Sequence, residues 1–211
     1  MSILHCSELI LGGVRSGKSR EALRLAASLP PGFRSAFLAT AQALDADMRA
    51  RIERHQAERP RGWATVEEPH DVVRALEGMA TRYDVVVLDC LTLWVANLYL
   101  RGEKAATVID AADDLARFIG LRRLTLIIVS NEVGAGVHPP TEVGLQFRDI
   151  LGEVNQQIAA SRCASSSRRP RLPRGLVSWS RACAASAPAV PPGAEIRSRS
   201  LRRLTTQIPR R

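Results

Sequence analysis

Residues 12–19 read GGVRSGKS, a complete G-x-x-x-x-G-K-[ST] phosphate-binding loop directly behind the strand-like run ELIL at 8–11. A loop of this kind holds phosphate by turning successive backbone N–H groups inward, here from Gly12, Gly13, Val14, Arg15, Ser16 and Gly17. The helix expected to begin at Lys18 adds the positive end of its dipole to the same anion site. Lys18 is spaced to reach the β- and γ-phosphates, which makes it a candidate catalytic residue, and the Ser19 hydroxyl to join the shell of a Mg²⁺ ion. A glycine-rich turn met by chance would need neither the lysine, the hydroxyl nor the preceding strand. The implied ligand is a nucleoside triphosphate.

Asp89 carries the second chemical signal. It follows the apolar run YDVVVL (83–88) and so falls at the carboxyl end of a buried strand, on the sheet edge that holds Lys18 and Ser19. An acid there can bind Mg²⁺ directly or through water, as in P-loop enzymes; capping the following helix is the other role its position suits. Of the four histidines, His5, His70 and His138 fall before a strand, beside a helix start and in the loop VHPP, and read as loop or solvent-facing residues. His55 lies between Arg51, Arg54 and Arg59 on an expected helix, surroundings that by themselves read as those of a surface histidine. Cys6, Cys90, Cys163 and Cys183 form no C-x-x-C pair and suggest neither a zinc site nor a disulfide framework.

These residues need a scaffold, and the pattern of elements supplies one. Strands are expected at 8–11, 35–40, 63–66, 83–88 and 124–129. Helices are expected at 18–29, 45–58, 69–80 with Pro69 in the first turn, 93–100, 105–119 and 141–160. In the helix 45–58, Met48, Ile52 and His55 recur at helical spacing. Strand–helix alternation behind a phosphate loop predicts an α/β, P-loop NTPase-like fold, a mostly parallel sheet flanked by helices with ligands at the strands' carboxyl ends.

Composition divides the chain. Residues 161–211 hold twelve arginines and one acid, a balance of +11, whereas residues 1–160 hold 18 basic and 20 acidic side chains, a balance of −2. The basic character therefore belongs to the tail. Its stretches SRCASSSRRPRLPRG and ASAPAVPPGAEIRSRS show neither helical nor strand period and bury too little apolar surface to offset their ordering entropy. The expected organisation is a catalytic domain over 1–160 and a disordered tail over 161–211. An arginine-rich arm for nucleic acid is the functional alternative, and out-of-frame sequence from GC-rich coding DNA another. Without a nucleic-acid-binding motif in 1–160, nucleic acid is not an expected partner. Residues 1–11 lack a signal-peptide pattern, and the longest apolar stretch, 85–100, is interrupted by Asp89 and Asn97 and too short to span a bilayer. A cytoplasmic setting fits.

Beyond the loop, LATAQALDADMRARIERHQAERPRGWATVEEP (38–69), LDCLTLWVANL (88–98) and VSNEVGAGVHPP…FRDILGEVNQQIAA (129–160) together resemble one family. It is the bifunctional adenosylcobinamide kinase / adenosylcobinamide-phosphate guanylyltransferase family of cobalamin biosynthesis. The resemblance implies two reactions. ATP or GTP first phosphorylates the aminopropanol hydroxyl of adenosylcobinamide; GTP then gives GMP to an enzyme histidine and on to the new phosphate, yielding adenosylcobinamide-GDP. It assigns the guanylylated histidine to His55, where a neutral imidazole can serve as nucleophile and divide one displacement into two. It assigns nucleotide contacts to Thr40, Ala41 and Gln42, to Gln56, Ala57, Glu58 and Arg59, and to Glu67 and Asp89. Thr40 and Gln42 could offer their polar groups to ribose or base, and Arg59 its charge to phosphate. Asn131–Glu132 and the pair Arg148–Asp149 lie in matching blocks without a firm role. A homotrimer is also implied. One departure stands out: where the family continues from NQQIAA into a short apolar strand, this chain has SRCASSSRRP, which predicts an uncovered sheet edge.

Overall fold

Short apolar runs closed by glycine, proline or an acid become the strands of one sheet. The computed structural model describes residues 7–134 and 139–161 and the backbone of 176–179. Its parallel strands are β1 (Glu8–Gly12), β2 (Ser35–Ala39), β3 (Ala64–Glu67), β4 (Val85–Asp89) and β5 (Thr125–Asn131). The helices are α1 (Lys18–Ala27), α2 (Ala46–Ala57), α3 (Val72–Met79), α4 (Leu91–Leu100), α5 (Ala105–Gly120) and α6 (Glu142–Ser161). A sixth strand, β6 (Leu176–Trp179), completes the order β3-β2-β4-β5-β1-β6. This is the expected P-loop-like α/β architecture.

Alternation along the strands sorts side chains onto two faces. Leu9, Leu38, Val86, Leu88 and Ile128 point to the face covered by α3, α4, α5 and α6, where Leu76, Trp94, Leu115 and Leu151 are fully buried or nearly so. Ile10, Phe37, Val85, Val87 and Ile127 point to the other face, under Ala22 and Ala26 of α1. β4, central and unexposed from Val85 to Leu88, has the continuous apolar run that burial on both faces demands. α2 differs from all the others, since none of its residues is buried.

Register aligns the carboxyl ends of the strands. Gly12 pairs with Asn131, Val129 with Asp89, and Ala39 with both Asp89 and Glu67. One sheet edge therefore carries the start of the phosphate loop and two acids. Among the described residues no helix is long and apolar enough to cross a membrane.

Two expectations are corrected. Pro69 does not open a helix: the Glu68 carboxylate accepts N–H groups from His70 and Asp71, both at 2.9 Å, holding a turn, and α3 begins only at Val72. The edge of β1 is not left bare either. β6 pairs with it antiparallel, Leu9 opposite Trp179 and Gly12 opposite Leu176, satisfying backbone groups that an edge strand would expose. The apolar, β-prone composition of LVSW suits that pairing. The rest of the predicted tail lies outside the described residues.

Candidate active site

The turn from β1 into α1 builds the first wall. Gly17 caps α1 at φ 88°, in the left-handed region where glycine alone is unstrained, and Arg15 has φ 58°. Lys18 begins the helix and is 8% exposed. Its Nζ folds back over the loop, donating to the Gly13 carbonyl at 2.5 Å and to Ser16 Oγ at 3.4 Å. Burial pushes the Lys18 ammonium below the usual lysine range, while Cys90 and Asp89 pull it back up and Arg51 pushes it further down. A cation so desolvated and so close to backbone carbonyls gains most from an anion placed beside it.

The second wall is the end of β4. The Asp89–Cys90 peptide is cis. Thr40, fully buried, clamps it: Cys90 N–H donates to Thr40 Oγ1 at 2.9 Å, and that hydroxyl donates to the Cys90 carbonyl at 2.8 Å. The Thr40 hydroxyl is thereby engaged by the Asp89–Cys90 peptide. Asn97 on α4 donates to the carbonyls of Thr40 (2.7 Å) and Pro69 (3.1 Å), tying the loops after β2 and β3 together. Cys90 itself is buried, and desolvation pushes its thiol up to about 12. It is a neutral core group.

The third wall is α2, started by Asp45, whose carboxylate accepts the Met48 N–H at 2.6 Å. Met48, Arg51, Ile52 and His55 stand at i, i+3, i+4 and i+7 and look onto the cavity instead of a core. Contacts at the C-terminal end tether the helix to β3 and β2. Gln56 Nε2 donates to Glu67 Oε1 (3.2 Å), Arg59 Nη1 donates to Thr65 Oγ1 (3.0 Å), and the Arg59 guanidinium lies 4.4 Å from the centre of the Phe37 ring. Burial lowers the Arg59 pKa, against the pull of Asp89 and Glu67, and its Nε has no partner among the described residues.

The walls enclose a cavity of about 550 Å³, large enough for a nucleotide. Val14 to Ser19, Ala41, His55, Glu58, Arg59, Glu67 and Asp89 line it. Gly12, Gly13, Thr40, Gln42 and Ala57 stand outside its wall, and Gln56 lines an adjoining recess that shares Arg59 and Glu67. Asn131 also lines the cavity; Thr92 Oγ1 accepts its N–H at 2.8 Å. Glu132 turns back to accept the Gly134 N–H, and Arg148 bonds Asp149, its neighbour in sequence. His70 lies in the turn before α3, its carbonyl accepting from Trp94 Nε1; His5 and His138 fall outside the described residues. Sequence reasoning missed Arg20 and treated Arg51 and Arg54 only as flanks of His55, yet all three line the cavity. The signal was present for Arg51, which shares the helical spacing of Met48, Ile52 and His55.

Six basic side chains and three acids line this space, although residues 1–160 are net acidic. The surplus of positive charge is therefore local, as a polyanionic ligand requires. A cationic cavity behind a phosphate loop, at the carboxyl edge of a parallel sheet, places the chain in the P-loop class of nucleotide-using proteins. Within that class it belongs to the cobinamide kinase / cobinamide phosphate guanyltransferase family, whose model matches residues 8–166. It is 42% identical over 166 residues to the bifunctional adenosylcobalamin biosynthesis protein CobP of Pseudomonas aeruginosa, covering 74% of this chain and 88% of that protein. Identity to the CobU proteins of Escherichia coli K12 and Salmonella typhimurium LT2 is 36% over 165 residues, 72% of this chain and 90% of each of them. The chain is thus a transferase of cobalamin biosynthesis, a kinase and guanylyltransferase that uses nucleotide substrates.

Proposed function

We propose that one cavity runs both transfers, with the phosphate loop holding the triphosphate and α2 presenting the nucleophile. In the first reaction the aminopropanol hydroxyl of adenosylcobinamide bonds to the γ-phosphorus of ATP or GTP. The bond to the β,γ-bridging oxygen breaks, and the hydroxyl proton passes to water. Lys18 and the loop N–H groups hold the charge that moves onto the nucleoside diphosphate. In the second reaction an imidazole nitrogen of His55 bonds to the α-phosphorus of GTP as pyrophosphate leaves. The phosphate of adenosylcobinamide phosphate then displaces the histidine, giving adenosylcobinamide-GDP and free His55.

Ser19 and Asp89 are the proposed ligands of Mg²⁺, which supplies charge neutralisation along the phosphate chain. Among the described residues no cluster of three or more His, Cys, Asp or Glu could hold a metal. That suits Mg²⁺, which keeps several waters and takes only one or two protein ligands besides phosphate. The proposed nucleotide contacts are Ala41, Glu58, Arg59, Glu67 and the loop, with Thr40 acting through Asp89. The catalytic unit is residues 1–160, working in the cytoplasm as a homotrimer.

The observation that carries this reading is that Lys18 and His55, from separate elements, line the same cavity. The test is incubation of the purified chain with Mg²⁺ and α-labelled GTP, followed by a quench and a search for protein-bound label. Acid-labile label is expected on the wild type and none on His55→Ala, which retains ATP-dependent phosphorylation of adenosylcobinamide. Label persisting in His55→Ala would move the nucleophile elsewhere.

A further inference from the structure

α2 turns a second cation towards the loop. Arg51 stands one helical turn before His55, so both side chains share a face of the helix and line the cavity, as does Lys18. The Arg51 side chain is exposed and forms no ion pair among the described residues. Arg51 and Lys18 thus border one space from separate elements. Two cations facing one another repel, and packing does not force this approach, because α2 buries none of its residues. The arrangement becomes favourable with a polyanion between them.

We infer that Arg51 contacts phosphate in the guanylyl-transfer step, spanning the α-phosphate that His55 attacks and the pyrophosphate that leaves. The inference rests on the His55 reading above. In that step the imidazole nitrogen forms its bond to the α-phosphorus and the bond to the α,β-bridging oxygen breaks. The electron pair stays on pyrophosphate, and the imidazole ring loses its remaining N–H proton to water. Negative charge therefore grows at the bridging oxygen. A planar guanidinium with five donors can engage oxygens of two neighbouring phosphates at once. Lys18, a point charge already bonded to Gly13 and Ser16, holds a single place on the chain.

Rapid-quench labelling with α-labelled GTP and Mg²⁺ tests this on the full chain, comparing wild type with Arg51→Ala, Arg51→Lys and Arg49→Ala. Arg49 is exposed on the same helix, away from the cavity wall, and its variant should match wild type. Arg51→Ala should slow labelling on the order of 100-fold, and Arg51→Lys should recover only part of the rate because the fork is lost. Pyrophosphate affinity, read by displacement of a fluorescent GTP analogue, should fall about tenfold in Arg51→Ala. A role confined to holding α2 in place would leave that affinity unchanged. Labelling of Arg51→Ala at the wild-type rate, or slowed labelling with unaltered pyrophosphate affinity, overturns the inference. A wild type that takes up no label overturns the His55 reading, and this inference with it.

Discussion

The phosphate loop and α2 face each other across one cavity, yet they are held in opposite ways. The loop is the continuation of β1, which pairs with β5 on one side and β6 on the other, and α1 beneath it buries Ala22 and Ala26 against the sheet. α2 has no fully buried residue and is fastened by one amide–carboxylate bond and one arginine. In the proposed mechanism the nucleotide phosphates that both reactions share are thus met by the rigid wall, where preorganised N–H groups act without rearrangement. The proposed nucleophile, His55, stands on the wall with the least packing, which a group that must meet two different phosphates in succession can use.

Substitutions can break this contrast, and the largest effect belongs to the rigid wall. Lys18→Ala should lower both the kinase rate and His55 labelling by about 100- to 1,000-fold. Its melting temperature should hold or rise, because burial disfavours the ammonium it removes. Equal loss in both assays would confirm a shared phosphate site; loss in one alone would separate the two reactions. Thr40→Val attacks the support of Asp89. It leaves the buried Cys90 N–H without its acceptor, and urea unfolding should register a loss of about 1–3 kcal/mol together with lower activity in both assays.

The tether of α2 should behave differently. Gln56→Ala removes an exposed bond, so the free energy of urea unfolding should change by less than about 0.5 kcal/mol, while labelling slows several-fold and the kinase rate holds. A matching fall in the kinase rate would mean that α2 serves both steps equally. The smallest effect is expected at Glu68, beside the turn into α3. Burial alone would raise its pKa, but the N–H groups of Asp71 and His70, with the charges of His70 and Arg74, hold it below the ordinary 4.5. A depressed carboxylate stabilises the fold above its ordinary value, and that stability is lost as pH falls through the folded-state value. Glu68→Gln, melted from neutral pH down to pH about 3, should show a flatter acid limb than the wild type.

Legibility differed between the same two walls. The phosphate loop, the strand before it and the acid at the end of β4 could be read residue by residue, because each depends on neighbours within a few positions. The helical stripe of α2 was equally visible, but a stripe containing Met48 and Ile52 ordinarily marks a core-facing side, and here it faces a cavity. Arg51, although on the stripe, and Arg54 were passed over for that reason: a charged residue beside an apolar stripe reads as solvated. The bond partner of Thr40 was not legible, since its hydroxyl answers to Cys90, fifty positions away. The start of α3 slipped because the Glu68 side chain captured the N–H groups that Pro69 was expected to lead into a helix.

By itself, then, the amino-acid sequence determined the class of chemistry, the alternation of strands and helices, and which strand ends carry phosphate-binding and acidic groups. Near-neighbour spacing is enough to encode all of these. The tertiary structure alone decided that Gly12, Asn131, Asp89, Ala39 and Glu67 stand side by side, that LVSW covers β1, and that His55 and Arg51 share a cavity with Lys18. Those facts follow from strand order and register, which are set by how both faces of the sheet pack at once, and no local window of sequence contains that sum.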